Sequence, residues 1–322
     1  MSFVHLHTHS HYSLLDGLSK VPDLVKKAKS YGMPALALTD HGVLYGAIEF
    51  YKECQKAGIK PIIGVEAYIA ERTRFDKEPG LDNKRYHLTL LVKNNIGYKN
   101  MMKLVTKANL EGYYYKPRMD MDLLREYGEG IICLSGCPGS KFISLVRSNN
   151  LEEAEQLLNT YIEIFGRENV YVEVMNHKEV EWYIPLIPTI ITLAQKMNLP
   201  IVGTWDSHYI NKDDAEAQDT LVAINTGSIV GEAKMSMKAG NYSFISPEEA
   251  QEIFKDIPGA VENTLKLADT VDLEIELSPW KFPTYPIPEG SNYDDELRKA
   301  VLDGLAGVNY TYDGIIKERV DF

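Results

Sequence analysis

The sequence predicts an α/β fold built on a parallel sheet closed into a barrel. Three observations predict it. Short apolar runs and amphipathic runs alternate through roughly the first 200 residues, as β-then-α units do. Several of the short runs are apolar throughout, which suits strands covered on both faces. The residues with unusual chemistry fall just past the ends of these runs: His7 and His9, Asp40 and His41, Glu66, Cys137, then Asp206 and His208. In a parallel barrel those ends share one mouth, whereas an open sheet brings so many contributors to one point only with difficulty.

The elements follow in order. Candidate strands are Phe3–Leu6, Ala35–Leu38, Pro61–Val65, Leu88–Val92, Ile131–Leu134, Val170–Val174 and Ile201–Gly203. Val21–Tyr31 places apolar residues three and four apart and reads as a helix, as does Leu151–Phe165. Tyr45–Ala57 reads as a helix ended by Gly58, a residue that tolerates the left-handed cap. His87 sits at the start of its strand, so either that strand runs the other way or the loop before it reaches the mouth. Further on, Asp213–Asn225 is predicted helical and Gly227–Tyr242 a loop or hairpin. Ser246-Pro247-Glu248-Glu249 gives an N-cap, a proline at the first helical position and acids in the first turn. Leu277–Gly290 holds four prolines and is expected to be an extended linker, followed by a helix over Asp294–Leu305. The chain stops at Phe322 without a cap or closing turn, which is the mark of a cut. The expected division is 1–270 for a metal-dependent domain and 271–322 for a linker and the beginning of another region.

Composition narrows the class. The 322 residues are 44% hydrophobic and 25% charged, ordinary for a folded soluble chain. No stretch is apolar over the roughly 18 residues a membrane helix needs, mean hydropathy is −0.24, and the N-terminus has no signal-peptide pattern. Three cysteines are too few for a disulfide framework, so a reducing cytoplasmic setting is expected. A net charge of −12 argues against a broad electrostatic nucleic-acid face but permits a local site.

The strongest local pattern is His5-Leu6-His7-Thr8-His9-Ser10-His11. In a strand, residues two apart share a face, so the alternation would line one side with imidazoles. Neutral imidazole suits zinc, manganese and iron. Glu66 interrupts an apolar strand, and a buried carboxylate must be paired or on a metal. Asp206-Ser207-His208 repeats the two-residue spacing, and Cys137 lies in a loop of small residues.

Together with Tyr12–Gly17, Ala37–Gly42, Gly58–Glu66, Tyr86–Leu91, Glu111–Tyr113, Lys116–Arg118, Leu134–Cys137 and Asp206–Tyr209, this pattern resembles the polymerase-and-histidinol-phosphatase (PHP) family. Within it, the likeness is to the branch at the N-terminus of bacterial replicative DNA polymerase III alpha subunits. The resemblance implies a distorted seven-stranded (βα)7 TIM-like barrel with a metal site at its C-terminal mouth. It implies two or three divalent ions, zinc or manganese with iron or magnesium as alternatives. Carried over, His7, His9, Glu66 and Asp206 form one site. Glu66 bridges to a second with His87 and Cys137, and Asp16, His41 and His208 form a third. It favours the mouth for His87.

The implied activity is metal-dependent phosphodiester hydrolysis, a 3′–5′ exonuclease editing DNA in cis with a polymerase. His9, Glu66 and Asp206 carry it, and Asp40 sits behind the ligands. Lys116 and Arg118 either hold the phosphate backbone or are solvated surface charges. His177 either faces the mouth or is a satisfied structural histidine. His5 is expected behind the ligands and His11 toward solvent. The expected partners are a single-stranded DNA 3′ end, the rest of the polymerase chain, and other replisome subunits. Polymerisation itself is not expected here, since the palm would lie past Phe322. Two competing readings are a small-molecule phosphatase of the histidinol-phosphate kind and a metal-stabilised scaffold without turnover.

Overall fold

The structure is a computed structural model and describes residues 2–14, 16–230, 240–278 and 282–322. Part of the expected 227–242 loop and Pro279 of the expected linker lie outside the described residues. The chain divides into two units, Met1–Ile275 and Glu276–Phe322.

In the first unit the strands are β1 (Ala35–Leu38), β2 (Lys60–Ala70), β3 (Arg85–Val92), β4 (Tyr113–Tyr114), β5 (Lys116–Met119), β6 (Ile131–Leu134), β7 (Val170–Met175) and β8 (Ile201–Thr204). β1 pairs in parallel with β2, β6 with β7, and β7 with β8. β3 runs antiparallel to both β2 and β6. The expectation of a wholly parallel sheet is therefore corrected at one strand. An apolar run encodes burial but not direction, and the reversal brings the N-terminal end of β3, with His87, to the mouth.

The extended segment Phe3–His9 closes the barrel. On one side Ala37 N donates to His5 O at 2.8 Å and Thr39 N to Thr8 O at 2.9 Å. On the other, His9 N donates to Ser207 O at 2.8 Å, just past β8. Seven segments thus surround one axis, the distorted barrel that the sequence predicts. The two-residue period sorts them into an inner and an outer face. Val4, Leu6, Ala35, Ala37, Ile62, Leu91, Ile132, Leu134, Tyr171 and Val202 form one buried cluster, joined by Leu267, Ala268 and Val271. The alternate residues pack against the surrounding helices.

Above the inner apolar cluster the same columns turn polar: Gly64, Glu66 and Tyr68 on β2, Thr89 and His87 on β3, Glu173 on β7, Thr204 and then Asp206 after β8. A bend at His7 breaks the alternation of the first segment. His5 consequently faces away from His7 and His9, stacked on Phe244 at 4.0 Å. The single imidazole face expected over His5–His11 is corrected by that bend.

The helices Val21–Ser30, Ala47–Ala57 and Leu151–Phe165 lie within a residue or two of expectation, and Gly58 adopts φ 68°. Ser246 and Glu249 form a reciprocal capping box. The hairpin β4–β5 was not foreseen. It pairs with the far end of β2 through Tyr68↔Arg118 and Ile69↔Met119. The first unit extends to Ile275 rather than 270, because Asp272 N, Glu274 N and Ile275 N bond to Lys93 O, Asn95 Oδ1 and the Tyr51 hydroxyl. The second unit contains the helices Tyr293–Gly307 and Gly314–Asp321.

Candidate metal centre

Glu66 is the hub of the mouth and is 1% exposed. Its Oε1 lies 2.8 Å from His87 Nδ1 and 3.4 Å from His7 Nε2, and accepts from Cys137 Sγ at 3.1 Å. Its Oε2 lies 2.6 Å from His41 Nδ1 and 3.6 Å from His9 Nε2. Asp206 Oδ1 approaches His9 Nε2 at 3.2 Å, His208 Nδ1 at 3.4 Å and His7 Nε2 at 3.6 Å. Asp16 Oδ2 lies 3.1 Å from His41 Nε2. Three overlapping groups have ligand atoms close enough to hold an ion: His7, His9 and Glu66; Glu66, His87 and Cys137; and His9, His41 and His208. All nine residues proposed as ligands are thus in one place, although the last group includes His9 where Asp16 was expected.

The donors behind this cluster fix which nitrogen faces inward. Asp40 accepts from Ser10 N, Ser10 Oγ and Ser13 Oγ at 2.7–2.9 Å. Ser13 has given its only proton to Asp40, so at 2.9 Å it accepts from His9 Nδ1. Glu173 Oε1 lies 2.9 Å from His7 Nδ1, and the carboxylate is held by the hydroxyls of Thr204 and Thr89 at 2.7 and 3.2 Å. Both imidazoles therefore carry the proton on Nδ1 and turn a bare Nε2 toward Glu66 and Asp206. These Nε2 atoms are buried with no hydrogen-bond partner among the described residues. Lone pairs facing carboxylate oxygens at such distances need a cation between them, so the donor set fits divalent metal.

Without metal, protons take the place of that cation at some of these nitrogens. Burial opposes charge on His7 and His41, but surrounding carboxylates, Glu66 foremost, raise both well above the usual imidazole value. Burial opposes ionisation of Glu66 and Asp206, yet neighbouring histidines hold both well below the carboxylate range. His9 is pushed down to about 3, first by burial and then by the charge of His41 and His208. Burial, reinforced by Glu66, raises the Cys137 thiol.

Glu173 was not singled out from the sequence, although it breaks the apolar run of β7 as Glu66 breaks that of β2. His177 lines the same cavity, of about 340 Å³, as the ligating groups. Lys116 does not line that cavity; its Nζ lies 5.7 Å from the Tyr68 ring, which itself neighbours His41 and His87. Arg118 does not reach the mouth. Its guanidinium is buried and donates to the carbonyls of Gly112, Asp82, Arg74 and Asp76 at 2.8–3.1 Å. The phosphate contact expected of it is corrected: it ties loops together. His5 bonds Ile245 O at 3.0 Å rather than one of these ligands, and His11 is half-buried beside Tyr12. A separate cleft of about 470 Å³, lined by Lys20, Lys26, Lys27 and Asp214, holds no ligating group of this kind.

Comparison with known proteins gives the family. Residues 5–177 match the model of the PHP domain. The chain belongs to the PHP family. It is 42% identical over 321 residues to a DNA polymerase III subunit alpha of Borreliella burgdorferi, an alignment covering 98% of this chain and 28% of that protein. To the subunit of the same name from Treponema pallidum it is 40% identical over 325 residues, covering 100% and 28%. The PHP chain thus spans little more than a quarter of the length of these curated relatives. A solved two-domain protein from Bacteroides vulgatus, described as containing a predicted PHP-like metal-dependent phosphoesterase, aligns at 21% identity with a TM-score of 0.37, covering 64% of this chain and 52% of that one. No helix among the described residues is long and apolar enough to cross a membrane.

Proposed function

We propose that this chain is the PHP portion of a bacterial DNA polymerase III alpha subunit and hydrolyses phosphodiesters at a single-stranded DNA 3′ end. One observation carries the reading: a buried carboxylate, Glu66, is shared by two ligating groups that open into a cavity. His7, His9, Glu66 and Asp206 would hold one ion, Glu66, His87 and Cys137 a second, and Asp16, His41 and His208 a third. Bound metal there supplies charge that draws in a phosphate and activates water. The protein groups supply orientation. Asp206 is more open than Glu66 or Glu173, and its Oδ1 lies beside three imidazoles. Glu173 and Asp40 lock the two imidazoles beneath it, and Lys116, near Tyr68, would meet the phosphate backbone. Cys137 favours zinc at its site and the remaining ligands accept manganese. Nucleotidyl transfer would belong to the rest of the parent protein, in a cytoplasmic replication assembly.

The test is hydrolysis of 3′-labelled single-stranded DNA by the chain supplied with manganese or zinc, with and without chelator. Chelator-sensitive release of mononucleotides supports the reading; retained metal with no release from DNA or monoesters defeats it. A scaffold role has one observation in its favour: the ligands join the first segment, β2, β3 and the ends of β1, β6 and β8 into one knot. On that reading metal sets stability alone.

A further inference from the structure

The cavity that opens onto the ligating groups has a second, chemically different part. Met175, Val180, Val222 and Pro138 make it apolar, and Asn225 and Thr226 add neutral polar groups. His177 belongs to this part and is 2% exposed. Its ring stacks on Trp205 with centroids 3.8 Å apart and on Tyr242 at 4.8 Å, with interplanar angles of 29° and 22°. The ring is gripped by its faces, so its nitrogen-bearing edge alone can make polar contacts. Both nitrogens are buried without a hydrogen-bond partner among the described residues, and so is Nε1 of Trp205. An unpaired buried polar group costs about 1–3 kcal/mol. A structural histidine bonds to the fold, as His5 does to Ile245 O. His177 instead bonds to nothing among the described residues and lines a cavity wall.

We propose that this part of the cavity is a nucleoside subsite that takes the unpaired terminal nucleotide of a single strand, with His177 as its positioning residue. The inference rests on the phosphodiester reading above and adds what the site selects. Three features specify the ligand. A neutral imidazole edge offers one donor and one acceptor, which matches the edge of a nucleobase. Apart from the ligating imidazoles, no cationic side chain lines the cavity among the described residues, so a second phosphate is not the match. The whole cavity, the metal centre included, is about 340 Å³, at the small end of ligand sites, with room for one nucleotide rather than a base pair. A paired end must therefore unpair first, and the cost of unpairing is lowest at a mismatch.

The experiment titrates the 322-residue, manganese-loaded chain with deoxythymidine 5′-monophosphate and, separately, with inorganic phosphate. His177→Phe keeps a ring between Trp205 and Tyr242 and removes both nitrogens, while His177→Asn restores a donor and an acceptor. The Phe variant is expected to bind the nucleotide about tenfold more weakly. It should bind phosphate unchanged, retain its metal and melt no lower than the unaltered chain. The Asn variant should recover part of the nucleotide affinity. A Phe variant that binds the nucleotide normally, loses nucleotide and phosphate equally, or melts lower would overturn the subsite. So would an unaltered chain that binds phosphate but not the nucleotide. The two proposals fail separately. Nucleotide binding through His177 without DNA cleavage keeps the subsite and defeats the exonuclease. Cleavage with an unchanged KM in the Phe variant does the reverse.

Discussion

At Glu66 four imidazoles and a thiol crowd one carboxylate within 3.6 Å. Asp206→Ala or His9→Ala should accordingly abolish hydrolysis and lower metal content, whereas His11→Ala should change neither; elemental analysis of the purified variants decides it. Glu173 acts at one remove. Glu173→Gln should weaken metal binding about 10–100-fold, because a neutral amide holds the His7 proton less firmly. A chelator-competition titration that shows unchanged affinity would refute that role. His5 gives a pH signature unrelated to the metal. Burial pushes its pKa from 6.5 down to about 4, so the folded chain takes up its proton later than the unfolded chain. Between those values the unfolded state binds more protons, and stability falls as pH drops from 6.5 toward 4, then levels off. The contribution is on the order of 3 kcal/mol. His5→Phe, which keeps the ring beside Phe244, should flatten that part of the stability profile measured by urea unfolding in chelator.

Elements set how much of this was legible beforehand. Strand positions were readable because apolar runs ending in His, Asp or Glu are rare, and the ligands lie at those ends. The direction of β3 was not readable, since reversal changes no local pattern. The fate of Arg118 was equally hidden: its acceptors are carbonyls of loops up to 44 residues away in sequence, brought together only by the fold. Glu173 was readable and passed over, because its signal equals that of Glu66. The loop that carries Cys137 depends on Gly136 at φ 96°, where an added Cβ would lie 2.5 Å from Ser140 Cβ. Gly136→Ala should cost about 1–3 kcal/mol and displace the thiol, losing zinc before manganese in a metal-retention assay; equal retention would count against the assigned role. Arg118→Ala should destabilise by about 3 kcal/mol, by removing the side-chain donors to four carbonyls, two at buried and two at part-buried contacts. Variants that still fold should keep their affinity for DNA, the opposite of what a phosphate contact requires.

Over the whole molecule, charge argues that DNA is held at a point rather than along a face. With a net charge of −12 and no lysine or arginine lining the cavity among the described residues, binding of single-stranded DNA should depend weakly on salt. The slope of log K against log salt should be about −2 or shallower, and a steep slope would point to an extended basic track. The seam between Phe3–His9 and the end of β8 has a different consequence, which concerns synthesis. His7 and His9 leave the ribosome almost 200 residues before Asp206 and His208, yet the two pairs meet across that seam. The first segment made must wait as a loose end until the last strand of the barrel emerges. A nascent chain stopped short of Ser207 has no partner for His9 N, and the site that joins His7 and His9 to Asp206 is incomplete until the ring has shut. The centre is in effect a record that translation of the barrel has finished.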